Sequence, residues 1–248
     1  MSQPRQVLFI LFWLCLRGTM PATAGEPRTG EFAAERLLVR DVSREYRLVV
    51  PKSVDLAKPA PLVIAFHGML IDSKDLMPRY TKLNQTAEKY KFILAYPNAI
   101  DRSWVLADDK IKRDLAFFDA LLERLSFDHQ IDSQRVYVTG MSNGGYFAHL
   151  VAKERSTVVA AVASHSGTLG LQTLLGVNAD RKFPVLIIHG SRDQILPVAW
   201  ARENRDKYKR EGHAVQYVEL PGQGHLWGAS AGVNDTIWKF FDQHPLDE

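Results

Sequence analysis

Short apolar runs recur along the chain, separated by longer stretches in which apolar residues return every three or four positions. Runs of strand length, rich in β-branched and aromatic residues, fall at Glu45–Val50, Leu62–Phe66, Phe92–Tyr96, Arg135–Thr139, Val158–Ala163, Val185–His189 and Val215–Leu220. Several are apolar throughout rather than alternating, as expected of strands covered on both faces. Helical periodicity predicts helices at about Ser73–Tyr90, Asp108–Leu125, Gly144–Lys153, Val198–Glu211 and Ala231–Phe241. Strands alternating with helices of that length build βαβ units, which predicts an α/β fold with a mostly parallel central sheet and helices on both faces. Gly25 to Arg36 reads as a polar lead-in. No repeat, low-complexity tract or interdomain linker interrupts the rest, and Ser166 to Lys182 is the stretch that suits a small cap.

The first 24 residues stand outside this pattern. A short segment containing Arg5 precedes the wholly apolar run Val7–Leu16, and Pro21-Ala-Thr-Ala24 offers a small-x-small cleavage site. This is the layout of a secretory signal peptide. The apolar run falls short of the roughly 20 residues needed to span a bilayer. The expectation is therefore a secreted or periplasmic protein cleaved after Ala24, without stable membrane insertion. The only cysteine, Cys15, lies in that segment, so residues 25–248 are expected to form one domain without disulfides.

Composition narrows the chemistry. With 248 residues, 46% of them hydrophobic and 24% charged, the chain supports one well-buried core. The net charge of +3 is spread thinly. Lys and Arg interleave with Asp and Glu along Ala201–Glu211, which reads as a solvated helix face rather than a nucleic-acid patch. No pair of His, Asp or Glu has the H-x-x-x-H or H-E-x-x-H spacing of a metal site, and no cofactor is expected.

The most informative string is Gly140-Met-Ser-Asn-Gly-Gly145, which follows the apolar run Arg135–Thr139 and precedes the helical stretch Tyr146–Ala152. Strand, tight turn and helix in that order form the setting of a nucleophile elbow, with Ser142 at its apex. Free N–H groups at the start of the following helix favour developing negative charge. A serine hydroxyl needs an imidazole to take its proton, and the imidazole needs a carboxylate on its other nitrogen. Both residue types appear downstream in the required order. Asp193 follows the apolar run Phe183–His189 in the loop Gly190–Pro197, and His225 follows Val215–Leu220 in a glycine-containing loop. Both loops come just after strands, where the active sites of open α/β sheets collect.

Other histidines compete less well. His149 falls on the helix after Ser142, His165 follows an apolar run, and His129, His213 and His244 lie in polar surroundings near element ends. His189 ends a strand but precedes Asp193, which breaks the order. His67 follows the run Pro61–Phe66 and suits a scaffold role in a loop that supplies backbone donors. Two N–H groups are needed for the oxyanion of a tetrahedral intermediate; Asn143 supplies one, and Met69 or Gly68 the other.

Six segments together resemble the α/β-hydrolase esterases that include polyhydroxybutyrate depolymerase-like, feruloyl and acetylxylan esterases. They are Arg44–Pro51, Pro61–Gly68, Tyr96–Asn98, Ile131–Gly145, His189–Asp193 and Gly222–Trp227. The resemblance implies the α/β-hydrolase fold and a cofactor-free Ser142-His225-Asp193 esterase acting on small or polymer-derived esters. Many members of that group carry cysteines near the site, which residues 25–248 lack. Trp104 and Trp227, close to the presumed active face, are candidate aromatic walls for substrate. A peptidase or lactonase on the same fold, and a catalytically silent binding protein, remain open alternatives. The sequence specifies neither the acyl and alcohol groups nor the oligomeric state.

Overall fold

The computed structural model describes residues 28–69, 76–104, 110–169 and 176–247. The expected signal peptide and part of the candidate cap lie outside the described residues. The apolar runs become strands of one eight-stranded sheet: β1 (Gly30–Val39), β2 (Val42–Val50), β3 (Ala60–Phe66), β4 (Ile93–Pro97), β5 (Ile131–Met141), β6 (Ala161–His165), β7 (Val185–Gly190) and β8 (Val215–Leu220), in the order β1-β2-β4-β3-β5-β6-β7-β8. β1 pairs antiparallel with β2, and β2 antiparallel with β4; from β4 onward every pairing is parallel.

Among the described residues six α-helices cover the sheet: α1 (Leu76–Thr81), α2 (Leu83–Tyr90), α3 (Lys110–Asp128), α4 (Asn143–Glu154), α5 (Val198–Arg210) and α6 (Val233–Asp242). Alternate residues of β3 show how the two faces divide. Leu62, Ile64 and Phe66 join a core with residues of α3, α4 and α5, whereas Val63 and Ala65 join another with residues of α1, α2 and α6. Both faces are thus dry, which explains the unbroken apolar character of the inner strands. A buried ion pair crosses one layer: Arg44 on β2 lies 3.0 Å from Asp114 on α3, and its guanidinium sits 4.1 Å above the Phe117 ring.

Three expectations need correction. The polar lead-in contains strand β1. Its hydrophobic phase is broken by an irregularity in register between Phe32 and Glu35, so Phe32 and Leu37, five residues apart, both contribute to one core although simple alternation would separate them. The helix expected over Ser73–Tyr90 is two helices over its described part. Lys82 takes a left-handed conformation, φ 57° and ψ 22°, and the Thr81 hydroxyl donates to the Met77 carbonyl and accepts from the Leu83 N–H at the break. β6 begins at Ala161 rather than Val158, because Val158 and Val159 close a turn by donating to the Arg155 carbonyl.

Glycine is required where β3 meets α4. A methyl group on Gly144 would drive into the carbonyl oxygens of Phe66 and His67, and one on Gly140 into that of Gly144. None of these neighbours is a side chain that can swing aside. Gly144→Ala is expected to lower stability by about 1–3 kcal/mol, through overpacking at a site that cannot relax. Urea unfolding of the variant against wild type measures this.

Candidate active site

The elbow forms where β5 turns into α4. Ser142 adopts φ 53° and ψ −121°, a conformation costing a non-glycine residue on the order of 1–3 kcal/mol, held by the flanking close contacts. Its N–H donates to the His165 carbonyl at 3.0 Å, and its own carbonyl accepts from the Tyr146 N–H at 3.0 Å. Asn143, first residue of α4, has one of the backbone N–H groups that a helix leaves without an intrahelical acceptor. Its side chain has a separate use, which the sequence did not reveal. Trp104 N–H donates to Asn143 Oδ1 at 2.7 Å, and Asn143 Nδ2 donates to the Trp104 carbonyl at 3.1 Å. This two-bond clamp ties the segment after β4 to the start of α4.

Asp193 and His225 are brought together by two crossing loops. Gly190 lies so close under the Gln223 and Gly224 carbonyls that a side chain would collide with them, and the Arg192 N–H donates to the Gln223 carbonyl at 2.9 Å. On this frame His225 Nδ1 lies 2.7 Å from Asp193 Oδ2. A carboxylate only accepts, so Nδ1 carries the proton and Nε2 has its lone pair free to act as a base. Asp193 Oδ1 accepts the N–H groups of Ile195 and Leu196, both at 2.9 Å. Burial opposes the charge on Asp193, but the N–H of Leu196, His225 and the N–H of Ile195 outweigh it and hold the carboxyl below its usual range.

His165 joins the elbow to the His225 loop. Its carbonyl takes the Ser142 N–H, its Nε2 accepts the Gly228 N–H at 3.2 Å, and its ring stacks on Trp227 with centroids 5.1 Å apart. The Trp227 N–H donates to the Tyr80 hydroxyl at 2.7 Å, which fastens the same loop to α1. Burial pushes the His165 pKa down to about 3, and the His189 and His225 rings act in the same direction.

The two tryptophans are not aromatic walls. Trp104 is 2% exposed, stacked on Phe147 and edge-on to Phe66, with its indole N–H donated to the His67 carbonyl. Trp227 is 5% exposed, and its indole N–H donates to Asn234 Oδ1. Their faces and polar tips are committed to the interior. Exposed apolar side chains instead adjoin the candidate residues in the chain: Met69 is 55% exposed, Ile195 66% and Leu226 57%.

His67 is buried. Its Nε2 accepts the Ala99 N–H at 3.0 Å, so Nδ1 carries the proton and donates to the Gly68 carbonyl at 2.7 Å. In a planar trans peptide the N–H points opposite the C=O. Turning the Gly68 carbonyl toward the His67 ring therefore turns the Met69 N–H away from it. Among the described residues no group of His, Cys, Asp and Glu has the arrangement of a metal site.

A mostly parallel sheet with helices on both faces, carrying a strained serine elbow after β5 and a His–carboxylate pair after β7 and β8, defines an α/β-hydrolase fold. The chain matches the esterase PHB depolymerase family over residues 44–179, more than half its length, and belongs to that family. It is 29% identical over 235 residues to feruloyl esterase C of Emericella nidulans, covering 80% of this chain and 83% of that one. It is 25% identical over 242 residues to a bifunctional acetylxylan esterase/xylanase of Neocallimastix patriciarum, covering 82% of this chain. The match spans only 34%, about a third, of that longer protein. A ferulic acid esterase structure from Anaeromyces mucronatus superposes with a TM-score of 0.67 at 16% identity, covering 91% of this chain and 93% of that one.

The buried histidines make stability depend on pH. Burial holds both His149 and His165 at about 3, below the ordinary 6.5, so each binds a proton in the unfolded chain before it does in the fold. The sign follows: stability fully present above about 6.5 is lost as pH falls toward about 3, by about 1.4 kcal/mol per pH unit for each group. Urea unfolding across this range should show the loss, and His149→Gln should make the slope shallower.

Proposed function

We propose that this chain is a serine hydrolase of carboxylic esters that works through an acyl-enzyme on Ser142. The observation that carries the reading is the 2.7 Å contact between His225 Nδ1 and Asp193 Oδ2, in a loop anchored on the same His165 that anchors the strained Ser142. In the acylation step, His225 Nε2 takes the Ser142 proton as Oγ attacks the ester carbonyl. Asp193 stabilises the imidazolium that forms, and the N–H groups of Asn143 and Met69 receive the oxyanion. Collapse of that intermediate expels the alcohol, which leaves with the proton from His225. Water then repeats the sequence with His225 as base, releasing the acid and freeing Ser142. Removal of one oxyanion donor typically costs about 3 kcal/mol. The exposed Met69, Ile195 and Leu226 side chains favour an apolar acyl or alcohol portion, in keeping with the feruloyl esterase relative.

The decisive experiment is intact-mass analysis after treatment with a fluorophosphonate, with Ser142→Ala as control. One adduct, mapping to Ser142 and absent from the control, is the expected result; a folded protein that takes no adduct would favour a silent binding protein. On p-nitrophenyl acetate, Ser142→Ala and His225→Ala should each cost about a millionfold in kcat, and the double variant no more. Asp193→Asn should cost about ten-thousandfold.

We also propose that the protein is exported, on the strength of the apolar run Val7–Leu16 and the Pro21–Ala24 cleavage site. Expression in a secreting host should yield a mature chain whose mass corresponds to a start at Gly25. An intracellular, full-length product would count against export.

A further inference from the structure

Below Asp193 lies a histidine that the reaction just described does not use. His189, on β7, is fully buried, and its Nε2 lies 2.8 Å from the Leu196 carbonyl oxygen and 3.4 Å from Asp193 Oδ2. Both neighbours are acceptors only, so Nε2 carries a proton and donates it to Leu196, with Oδ2 close behind. Among the described residues Nδ1 has no hydrogen-bond partner, so nothing on the other side of the ring competes for its orientation.

The contacts converge on one carboxylate. Leu196, whose carbonyl takes the His189 proton, gives its own N–H to Asp193 Oδ1 at 2.9 Å. The other oxygen, Oδ2, receives the His225 Nδ1–H and faces the His189 Nε2–H. We propose that His189 is a positioning residue for the Ser142-His225-Asp193 reaction, an inference that rests on that reading of the site. It fixes the loop after β7 through the Leu196 carbonyl. It also draws off part of the negative charge on Asp193 Oδ2, and so sets both the orientation and the basicity of His225. The other ionisable groups around it are His165, at the end of the neighbouring strand β6, and Glu219, opposite it on β8 and paired with Arg202 at 2.7 Å.

The test compares His189→Leu, which removes the donor, with His189→Gln, whose amide N–H replaces it on a flexible arm. Each is assayed on p-nitrophenyl acetate across pH, with thermal melting to establish folding. For His189→Leu, kcat should fall about tenfold with KM unchanged. The acid limb of kcat/KM should move to higher pH, because an Asp193 that has lost a donor holds the His225 proton more tightly. His189→Gln should recover most of kcat and return the limb toward its wild-type position. If His189→Leu does not fold, His189→Asn, whose amide is too short to reach Oδ2, takes its place with the same expected losses. A wild-type limb and kcat in the donor-free variant would overturn the proposal. So would equal losses in both variants with the limb unmoved, the outcome of a purely space-filling role. Fluorophosphonate labelling of wild-type Ser142 separates the two levels: no label overturns the triad reading and this proposal together, whereas a label with indifferent His189 variants overturns only this one.

Discussion

The contact on which the site depends is one between backbones: the start of α4 lies against the end of β3 with no room for a Cβ at Gly144. That approach allows β5 to turn sharply into α4, and the sharp turn forces positive φ on Ser142. The strain on one residue is tolerable because its neighbours are held on all sides. The Ser142 N–H is bonded to His165, and the Asn143 side chain is clamped on the Trp104 backbone. A small local cost is thereby offset by a frame that holds the serine in place.

Buried aromatic and imidazole rings carry that order outward. Phe66, Trp104 and Phe147 form one cluster under the elbow, while His165 and Trp227 form another under the loop that bears His225. Trp104 and Trp227 read in the sequence as candidate substrate-binding residues, yet what they provide here is rigidity. The histidines serve as polar spacers in dry surroundings. His67, His165 and His189 bond backbone groups of Ala99 and Gly68, Gly228, and Leu196 respectively, which an apolar side chain of the same size cannot do.

Much of this was legible in the chain. Seven strands, the mostly parallel arrangement of the sheet and the order of Ser142, Asp193 and His225 follow from apolar runs punctuated by glycine, because burial on both faces leaves a clear signal. The features that escaped are those where local pattern and tertiary context disagree. The irregularity near Phe32 shifts the phase of β1, Lys82 breaks a helix whose periodicity runs through it, and Trp104 and Trp227 turn inward from loops. A tryptophan in a loop near the active face carries no mark of which way it points, and only the acceptors at His67 and Asn234 decide it. The Asn143 side chain was equally unreadable, since its partner lies 39 residues away.

The outer strand β1 has a bearing on how the molecule behaves in company. Among the described residues β1 is, apart from β8, the strand of this sheet with one side unpaired, and an unpaired strand edge invites another chain to add on. Here the register irregularity at Phe32–Glu35 disturbs the regular ladder that such addition needs, and the strand carries the charges of Glu31, Glu35 and Arg36, with Glu31 paired to Arg47 and Arg36 to Glu45. The segment that looked least structured in the sequence thus acts as an end-stop against edge-to-edge aggregation.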